Sequence, residues 1–233
     1  MYYGRPGRGR RLRRHYGTFL RPGDLAFDIG AHLGDRTRCW SQLGATVVAL
    51  EPQPQFARAL RWQFQGSPRV IVEPMAVGAR PGTATLHASR RTPTVTTLST
   101  DWIASVRKAE SFARVRWDQQ VQVPVTTLDV LIERFGVPRF CKIDVEGYEA
   151  EVLRGLSRPL PAVSMEYVPV AIEVALEAVG LLQRLGHYRF NVSLGEALRF
   201  EWPDWRGPDE IRAWLQDRNP DETSGDVYAR LED

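Results

Sequence analysis

One stretch, Leu25 to Arg36 (LAFDIGAHLGDR), constrains the fold more than any other part of the chain. It reads as a short apolar strand that ends at Asp28, a tight turn that contains Gly30 and Gly34, and then the start of a helix. A strand, a turn and a helix in this order direct backbone N–H groups at the start of the helix towards a ligand. The stretch therefore predicts a nucleotide-binding α/β fold.

A second strand-like run, TVVAL, ends at Glu51, at roughly the twenty-residue spacing at which a carboxylate binds ribose hydroxyls in such folds. The turn lacks the dinucleotide pattern G-x-G-x-x-G because His32 stands where the second Gly belongs, although His tolerates a positive φ. Asp28 before the turn and Glu51-Pro52 after the second strand indicate a ligand with an adenosine and no pyrophosphate. This favours S-adenosylmethionine over NAD.

Strand-like runs alternate with helical patterns from residue 25 onwards, which predicts a mostly parallel sheet with helices on both faces. The expected strands, of which the last two form a closing antiparallel pair, are 25–29, 46–50, 70–73, 139–145, 162–167, 188–192 and 226–231.

Residues 79–124 interrupt this alternation. Within them the sequence predicts a hairpin at 83–89, a helical segment at 101–116 and an extended segment at 120–125. An insertion of this length between regular units predicts a lid over the ligand.

The length of 233 residues fits one domain, expected at 18–233, after a basic extension at 1–17. Six arginines lie between residues 5 and 14, so the remainder of the chain has a net charge of −3. A basic tail can bind nucleic acid or an anionic membrane surface. No aromatic-rich RNA-binding motif accompanies it, so a frayed, solvated terminus is the favoured interpretation and a nucleic-acid partner is not expected.

Other features of the sequence narrow the class of protein. There is no apolar run of the length that spans a membrane and no pattern typical of a signal peptide. The two cysteines exclude a disulfide framework and argue against a cysteine zinc site. We expect a cytoplasmic location, and the oligomeric state is left open.

A second notable stretch, FCKIDVEG at 140–147, reads as a strand followed by a turn. Side chains alternate along a strand, so Lys142 and Asp144 share one face. Ligands of open α/β sheets bind beyond the carboxyl ends of the strands. We therefore expect Asp144 and Glu146 to face the same crevice as Gly30, with Glu166 next along that rim.

Methyl transfer is an in-line displacement in which the enzyme chiefly supplies alignment. A hydroxyl acceptor also gains about two to four orders of magnitude in rate from a base that removes its proton. Asp144 or Glu146 could be that base. Alternatively, Lys142 pairs with Asp144 in a buried ion pair, which would make Asp144 a poorer base. Two carboxylates alone are weak evidence for a metal, so no metal ligand is assigned.

The motifs FDIGAHLG, VVALEP, Ala76-Val77-Gly78, TTLD at 126–129 and KIDVEGYE at 142–149 resemble the FkbM family of S-adenosylmethionine-dependent methyltransferases. The resemblance covers roughly residues 18–170. It implies a Rossmann-like class I methyltransferase with a seven-stranded, mostly parallel sheet, and O-methylation of a hydroxyl on a sugar or natural product.

The resemblance also implies roles for individual residues. The turn would hold the methionine end of the cofactor, Glu51 the ribose, and Ala76 would lie beside the adenine. The cofactor-binding set is then Asp28, Gly30, Ala31, His32, Gly34, Glu51, Pro52 and Ala76, with Asp144 and Glu146 as catalytic candidates. Two alternatives stay open: a non-catalytic protein that only binds the cofactor, and a methyltransferase that acts on RNA.

Overall fold

The structure, a computed structural model, describes residues 7–232. Its strands are β1 (Leu25–Ile29), β2 (Thr46–Leu50), β3 (Val70–Glu73), β4 (Ala76–Val77), β5 (Gly82–Ala88), β6 (Gln119–Thr126), β7 (Phe140–Ile143), β8 (Ala162–Tyr167), β9 (Tyr188–Leu194) and β10 (Gly225–Leu231). Its α-helices are α1 (Arg8–Tyr16), α2 (Asp35–Gln42), α3 (Pro54–Gln63), α4 (Thr100–Val106), α5 (Leu128–Phe135), α6 (Glu149–Arg154), α7 (Ile172–Leu185) and α8 (Pro208–Gln216).

Seven strands form the main sheet in the order β3-β2-β1-β7-β8-β10-β9. β10 runs antiparallel to both of its neighbours, and the other pairs are parallel. The chain moves outwards from β1 to β3 and then returns to place β7 beside β1. A crevice for ligands opens at such a reversal of strand order. The predicted fold, a class I methyltransferase sheet of seven mostly parallel strands, is confirmed.

Helices cover both faces of this sheet because neighbouring strand residues point to opposite sides. Ala26 and Phe140 pack against α1 and α2 on one face. Phe27 and Cys141 pack on the other face, in the larger core that also contains buried residues of α5, α6, α7 and α8. The helix α8 was not predicted from the sequence. Among the described residues no helix has the length and apolar character needed to cross a membrane.

The insertion supplies β5 and most of β6 to a second, three-stranded sheet of order β4-β6-β5. The expected hairpin at 83–89 is wrong, because residues 82–88 form the single strand β5. Its antiparallel partner is β6, which lies more than thirty positions later in the chain. The extended segment expected at 120–125 is confirmed as part of β6.

The arginine-rich start of the chain also differs from expectation. Residues 8–16 form α1, with Leu12 and Tyr16 buried against the sheet, so the interpretation of a frayed, solvated terminus is wrong for them. Leu12, His15 and Tyr16 follow helical spacing, and the intervening arginines obscure this apolar face in the sequence. The first six residues of the expected extension lie outside the described residues.

Candidate active site

A cavity of about 1240 Å³ opens where the strand order reverses, at the carboxyl ends of β1, β2, β7 and β8. Pockets for one small ligand measure roughly 300–1,000 Å³, so this cavity has room for a nucleoside and a second small molecule. Its lining includes most of the residues that the sequence analysis selected: Gly30, Ala31, His32, Glu51, Pro52, Ala76, Asp144 and Glu146.

Gly30 allows the turn after β1 to approach the turn after β7 closely. Its φ is +82°, and a Cβ atom at this position would lie 1.9 Å from the backbone carbonyl oxygen of Asp144. Only glycine fits such a close approach of two backbones. The turn after β1 and the turn after β7 therefore form adjoining walls of one cavity, as expected from their positions at the strand ends.

Glu51 is almost fully buried at the end of β2 and has both carboxylate oxygens in hydrogen bonds. The backbone N–H groups of His32 and Gln53 donate to Oε2 and Oε1, each at 2.8 Å. Burial raises the pKa of Glu51 to about 7, although these hydrogen bonds act in the opposite direction. Each oxygen keeps a second lone pair, so the carboxylate fits the two hydroxyl groups of a ribose.

Asp28 and Gly34, two of the predicted cofactor ligands, lie outside the cavity lining. The buried Asp28 carboxylate accepts a 2.5 Å hydrogen bond from the hydroxyl of Thr37, which connects β1 to α2. Gly34 has a φ of +76° at the start of α2, and a Cβ there would meet Leu60 at 2.6 Å. Both residues build the turn, and its inner residues face the cavity.

Lys142 lies under the cavity floor with 1 % of its side chain exposed. Its Nζ atom is 3.2 Å from Oδ2 of Asp144 and 2.8 Å from Oδ1 of Asp226. Burial opposes the charged form, but the two carboxylates outweigh it and raise the pKa of Lys142. The Lys142–Asp144 pair that the sequence analysis kept as an alternative is therefore present.

This ion pair changes the chemistry open to Asp144. Burial alone would raise the pKa of Asp144, but the charges of Lys142 and Arg36 outweigh burial and lower it. Asp144 is therefore ionised at neutral pH and is a weak base. Sequence reasoning missed Asp226, which comes from β10 and has no local spacing that relates it to Lys142.

Glu146 and Glu166 stand beside Asp144 on the same rim. Burial, followed by the charge of a neighbouring carboxylate, raises the pKa of each well above its usual range. Glu146 has a φ of +54°, and the turn that carries it is held by Glu149, whose carboxylate accepts hydrogen bonds from the backbone N–H groups of Val145 and Gly147. The site thus combines one ionised carboxylate with two that favour protonation.

Two further segments line the cavity. Residues 94–98 of the insertion cover it beside Gln53, whose side-chain amide donates to the carbonyl of Pro93 at 3.2 Å. On the opposite side, Arg8 of α1 pairs with Glu196 at 2.8 Å, and Arg36 pairs with the same carboxylate at 3.3 Å. None of these three ionic residues was predicted as part of the site, because they meet only through tertiary contacts.

Comparison with known proteins extends these observations. A family model described as "Methyltransferase FkbM domain" matches residues 28–220. A relative with a described activity is the hexuronic acid methyltransferase AglP of Haloferax volcanii, which is 23% identical over 180 residues that span 76% of this chain and 68% of that protein.

Solved structures support the fold. An O-methyltransferase from Bacillus cereus, determined in complex with S-adenosylhomocysteine, superimposes with a TM-score of 0.51 and 13% identity. The match covers 98% of this chain and 82% of that protein. At this identity the likeness concerns the fold, which is that of the class I methyltransferases.

Proposed function

The chain belongs to the FkbM family of S-adenosylmethionine-dependent methyltransferases, and from this premise we propose that it methylates a hydroxyl group of a small metabolite. The proposed acceptor is a sugar or a sugar-bearing natural product. The observation that supports the proposal is one cavity lined both by Glu51, which we propose binds the ribose, and by a rim of acidic side chains. The activity of the Haloferax volcanii relative supports a sugar acceptor.

The residues present fit S-adenosylmethionine. Glu51 would accept hydrogen bonds from the ribose hydroxyls, and Ala76 would pack beside the adenine. The turn of Gly30, Ala31 and His32 would hold the methionine end, and a larger residue at position 30 would collide with the backbone carbonyl of Asp144 and push the two turns apart. The bound cofactor supplies an electrophilic methyl group on a sulfonium.

The acidic rim would act on the acceptor. Asp144, kept ionised by Lys142, would accept a hydrogen bond from the acceptor hydroxyl and orient its oxygen for in-line attack. Glu146 would take the proton, which requires its ionised form. We therefore expect the rate of transfer to rise with pH as Glu146 loses its own proton, because its pKa lies above the usual range.

The test is a methyl-transfer assay with isotopically labelled S-adenosylmethionine and a panel of free sugars, uronic acids and glycosylated compounds. An O-methylated product identified by mass spectrometry and NMR would support the proposal. A product methylated on nitrogen, carbon or sulfur would contradict it. The cytoplasmic location stays a prediction.

A further inference from the structure

The turn that carries Glu146 has a backbone conformation that depends on support from neighbouring residues. Glu146 has a φ of +54°, and Gly147, the next residue, has a φ of +84°. A left-handed conformation is unfavourable for a residue with a side chain, so it persists where surrounding contacts enforce it. Glu146 is also the residue that we propose takes the acceptor's proton. The contacts that enforce this turn therefore bear on the chemistry of the site.

Trp102, in helix α4 of the insertion, packs directly on this turn. A Cβ atom at position 147 would overlap Cγ and Cδ1 of the indole ring and would lie 2.7 Å from the Cβ atom of Trp102. Only glycine leaves room for the ring at this place. Trp102 is 2 % exposed and lies in an apolar cluster with other residues of the insertion. Its indole ring therefore fills the space into which the turn could otherwise relax.

Glu149, the first residue of α6, supplies a different kind of contact to the turn. It is buried, and its Oε1 atom accepts hydrogen bonds from the backbone N–H groups of Val145 at 3.1 Å and Gly147 at 3.2 Å. These bonds fix the backbone on both sides of Glu146, and the packing of Trp102 limits its displacement. Hydrogen bonds and packing together over-determine the left-handed residue between them.

Trp102 is also connected to the wall of the cavity. The side chain of Ser99, at the start of α4, accepts a hydrogen bond from the backbone N–H of Trp102 at 3.0 Å. The backbone N–H of Ser99 donates to the hydroxyl of Thr97 at 2.9 Å, and Thr97 lines the cavity. Val95 and Phe112 line the cavity and belong to the apolar cluster of Trp102. The insertion therefore joins the cavity wall to the turn of Glu146.

We propose that Trp102 is a positioning residue for methyl transfer, because its indole ring on Gly147 holds the Glu146 carboxylate towards the acceptor. The insertion then does more than cover the cavity, since one of its helices sets the geometry of the turn after β7. The effect on proton transfer rests on the proposed function, whereas the support of the turn does not.

The pH dependence of the reaction gives a readout that a loss of packing elsewhere would not change. The ionisable groups that face Glu146 from the neighbouring elements are Asp144, Glu149, Glu166 and Lys142. Burial, followed by the charges of Asp144 and Glu149, raises the pKa of Glu146, and Lys142 acts in the opposite direction. Without the indole ring, water would reach the turn and Glu146 would move away from these acids, so its pKa should fall.

Trp102→Ala in the full chain tests the proposal. Hydrogen–deuterium exchange of the backbone N–H groups at 145–147 should become about tenfold faster or more, because the turn loses one of its two supports. We expect kcat to fall by about 10- to 100-fold, with S-adenosylmethionine affinity within about threefold. The midpoint of the rise of kcat with pH should move lower by about one pH unit.

Ile103→Ala is the matched control, because Ile103 is the next residue of α4 and is buried in the same apolar cluster. The three atoms nearest a Cβ at position 147 all belong to Trp102, so Ile103→Ala should leave the exchange at 145–147 and the pH profile unchanged. Trp102→Phe, which keeps an aromatic ring, should recover most of kcat. Equal exchange at 145–147 in Trp102→Ala and Ile103→Ala, or equal pH profiles, would overturn the proposal.

Folding of each variant is established by circular dichroism and by calorimetric titration with S-adenosylmethionine. If Trp102→Ala does not fold, Trp102→Leu takes its place, because leucine fills part of the volume of the indole but does not cover the turn. The same expectations for exchange and for the pH profile apply to it, with the same control.

The outcome separates this proposal from the proposed function. Fast exchange at 145–147 that is specific to the Trp102 variants, in a protein that methylates only non-hydroxyl acceptors, would retain the support of the turn and reject the O-methyltransferase. Hydroxyl methylation with unchanged exchange and unchanged pH dependence in Trp102→Ala would reject the role of Trp102 and retain the O-methyltransferase.

Discussion

At the scale of single residues, the site depends on which hydrogen-bond donors and counter-ions offset the burial of a few carboxylates. Glu51 is held by two backbone N–H groups, Asp144 by Lys142, and Glu166 has an oxygen with no partner among the described residues. Burial acts on all three, yet their protonation differs because their partners differ. These different partners suit the three carboxylates to different roles in the site.

Glu51→Ala should weaken the binding of S-adenosylmethionine. Hydrogen bonds to a charged group contribute about 1.5–3 kcal/mol, so we expect a loss of about 10- to 150-fold in affinity by calorimetry. Glu51→Gln keeps one acceptor oxygen, so its affinity for S-adenosylmethionine should lie between those of the unchanged protein and Glu51→Ala. Unchanged affinity of Glu51→Ala would reject the ribose assignment.

Asp144→Asn should lower kcat by about 100-fold through loss of acceptor orientation, while cofactor affinity stays within a few fold. Asp226→Asn is the matched control, because Asp226 is the other carboxylate on Lys142. If both variants lose kcat and cofactor affinity alike, Asp144 serves only to neutralise Lys142.

At the scale of elements, local sequence patterns predicted most strands and the order of β1, α2, β2 and α3, because each has its own periodicity or a glycine turn. Partners far apart in sequence escaped prediction. The strand β5 was read as a hairpin because its partner β6 follows only after α4. Asp226 and Arg8 reach the site from near the two ends of the described chain. No local sequence pattern relates either residue to the site.

The packing of α1 can be tested by mutation. Leu12→Ala should lower the free energy of unfolding by about 2–5 kcal/mol, because Leu12 is buried in the core between α1 and the sheet. Arg10→Ala, on the exposed face of the same helix, should change it by less than about 0.5 kcal/mol. Urea denaturation measures both. Equal small effects would mean that α1 is not part of the folded unit.

At the scale of the whole molecule, the buried acids make stability depend on pH. The pKa of both Glu51 and Glu149 is raised by burial to about 7. The folded protein therefore binds more protons than the unfolded chain between about pH 4.5 and pH 7, and stability falls as pH rises through this window. His15, whose pKa burial lowers to about 4, acts in the opposite direction below pH 6.5.

Burial raises the pKa of five acids and lowers the pKa of two histidines, His15 and His32, so the ligand-free protein should be more stable at pH 5 than at pH 7.5. Glu51→Gln should reduce this difference in stability by about 2 kcal/mol, because the pKa of Glu51 rises from 4.5 to about 7 on folding and the two pH values cover most of that interval. Chemical denaturation at the two pH values measures the effect. If the free energy of unfolding depends on pH equally in Glu51→Gln and in the unchanged protein, the raised pKa of Glu51 is contradicted.

The pairing of Lys142 with Asp226 has a consequence for the order in which the molecule assembles. β10 inserts between β8 and β9, so it must enter the sheet after both flanking strands have been synthesised. Until then, Lys142 lacks one of its two counter-ions and β8 has an open edge. A nascent chain that ends before residue 225 therefore lacks both the second counter-ion of Lys142 and the strand that covers the edge of β8.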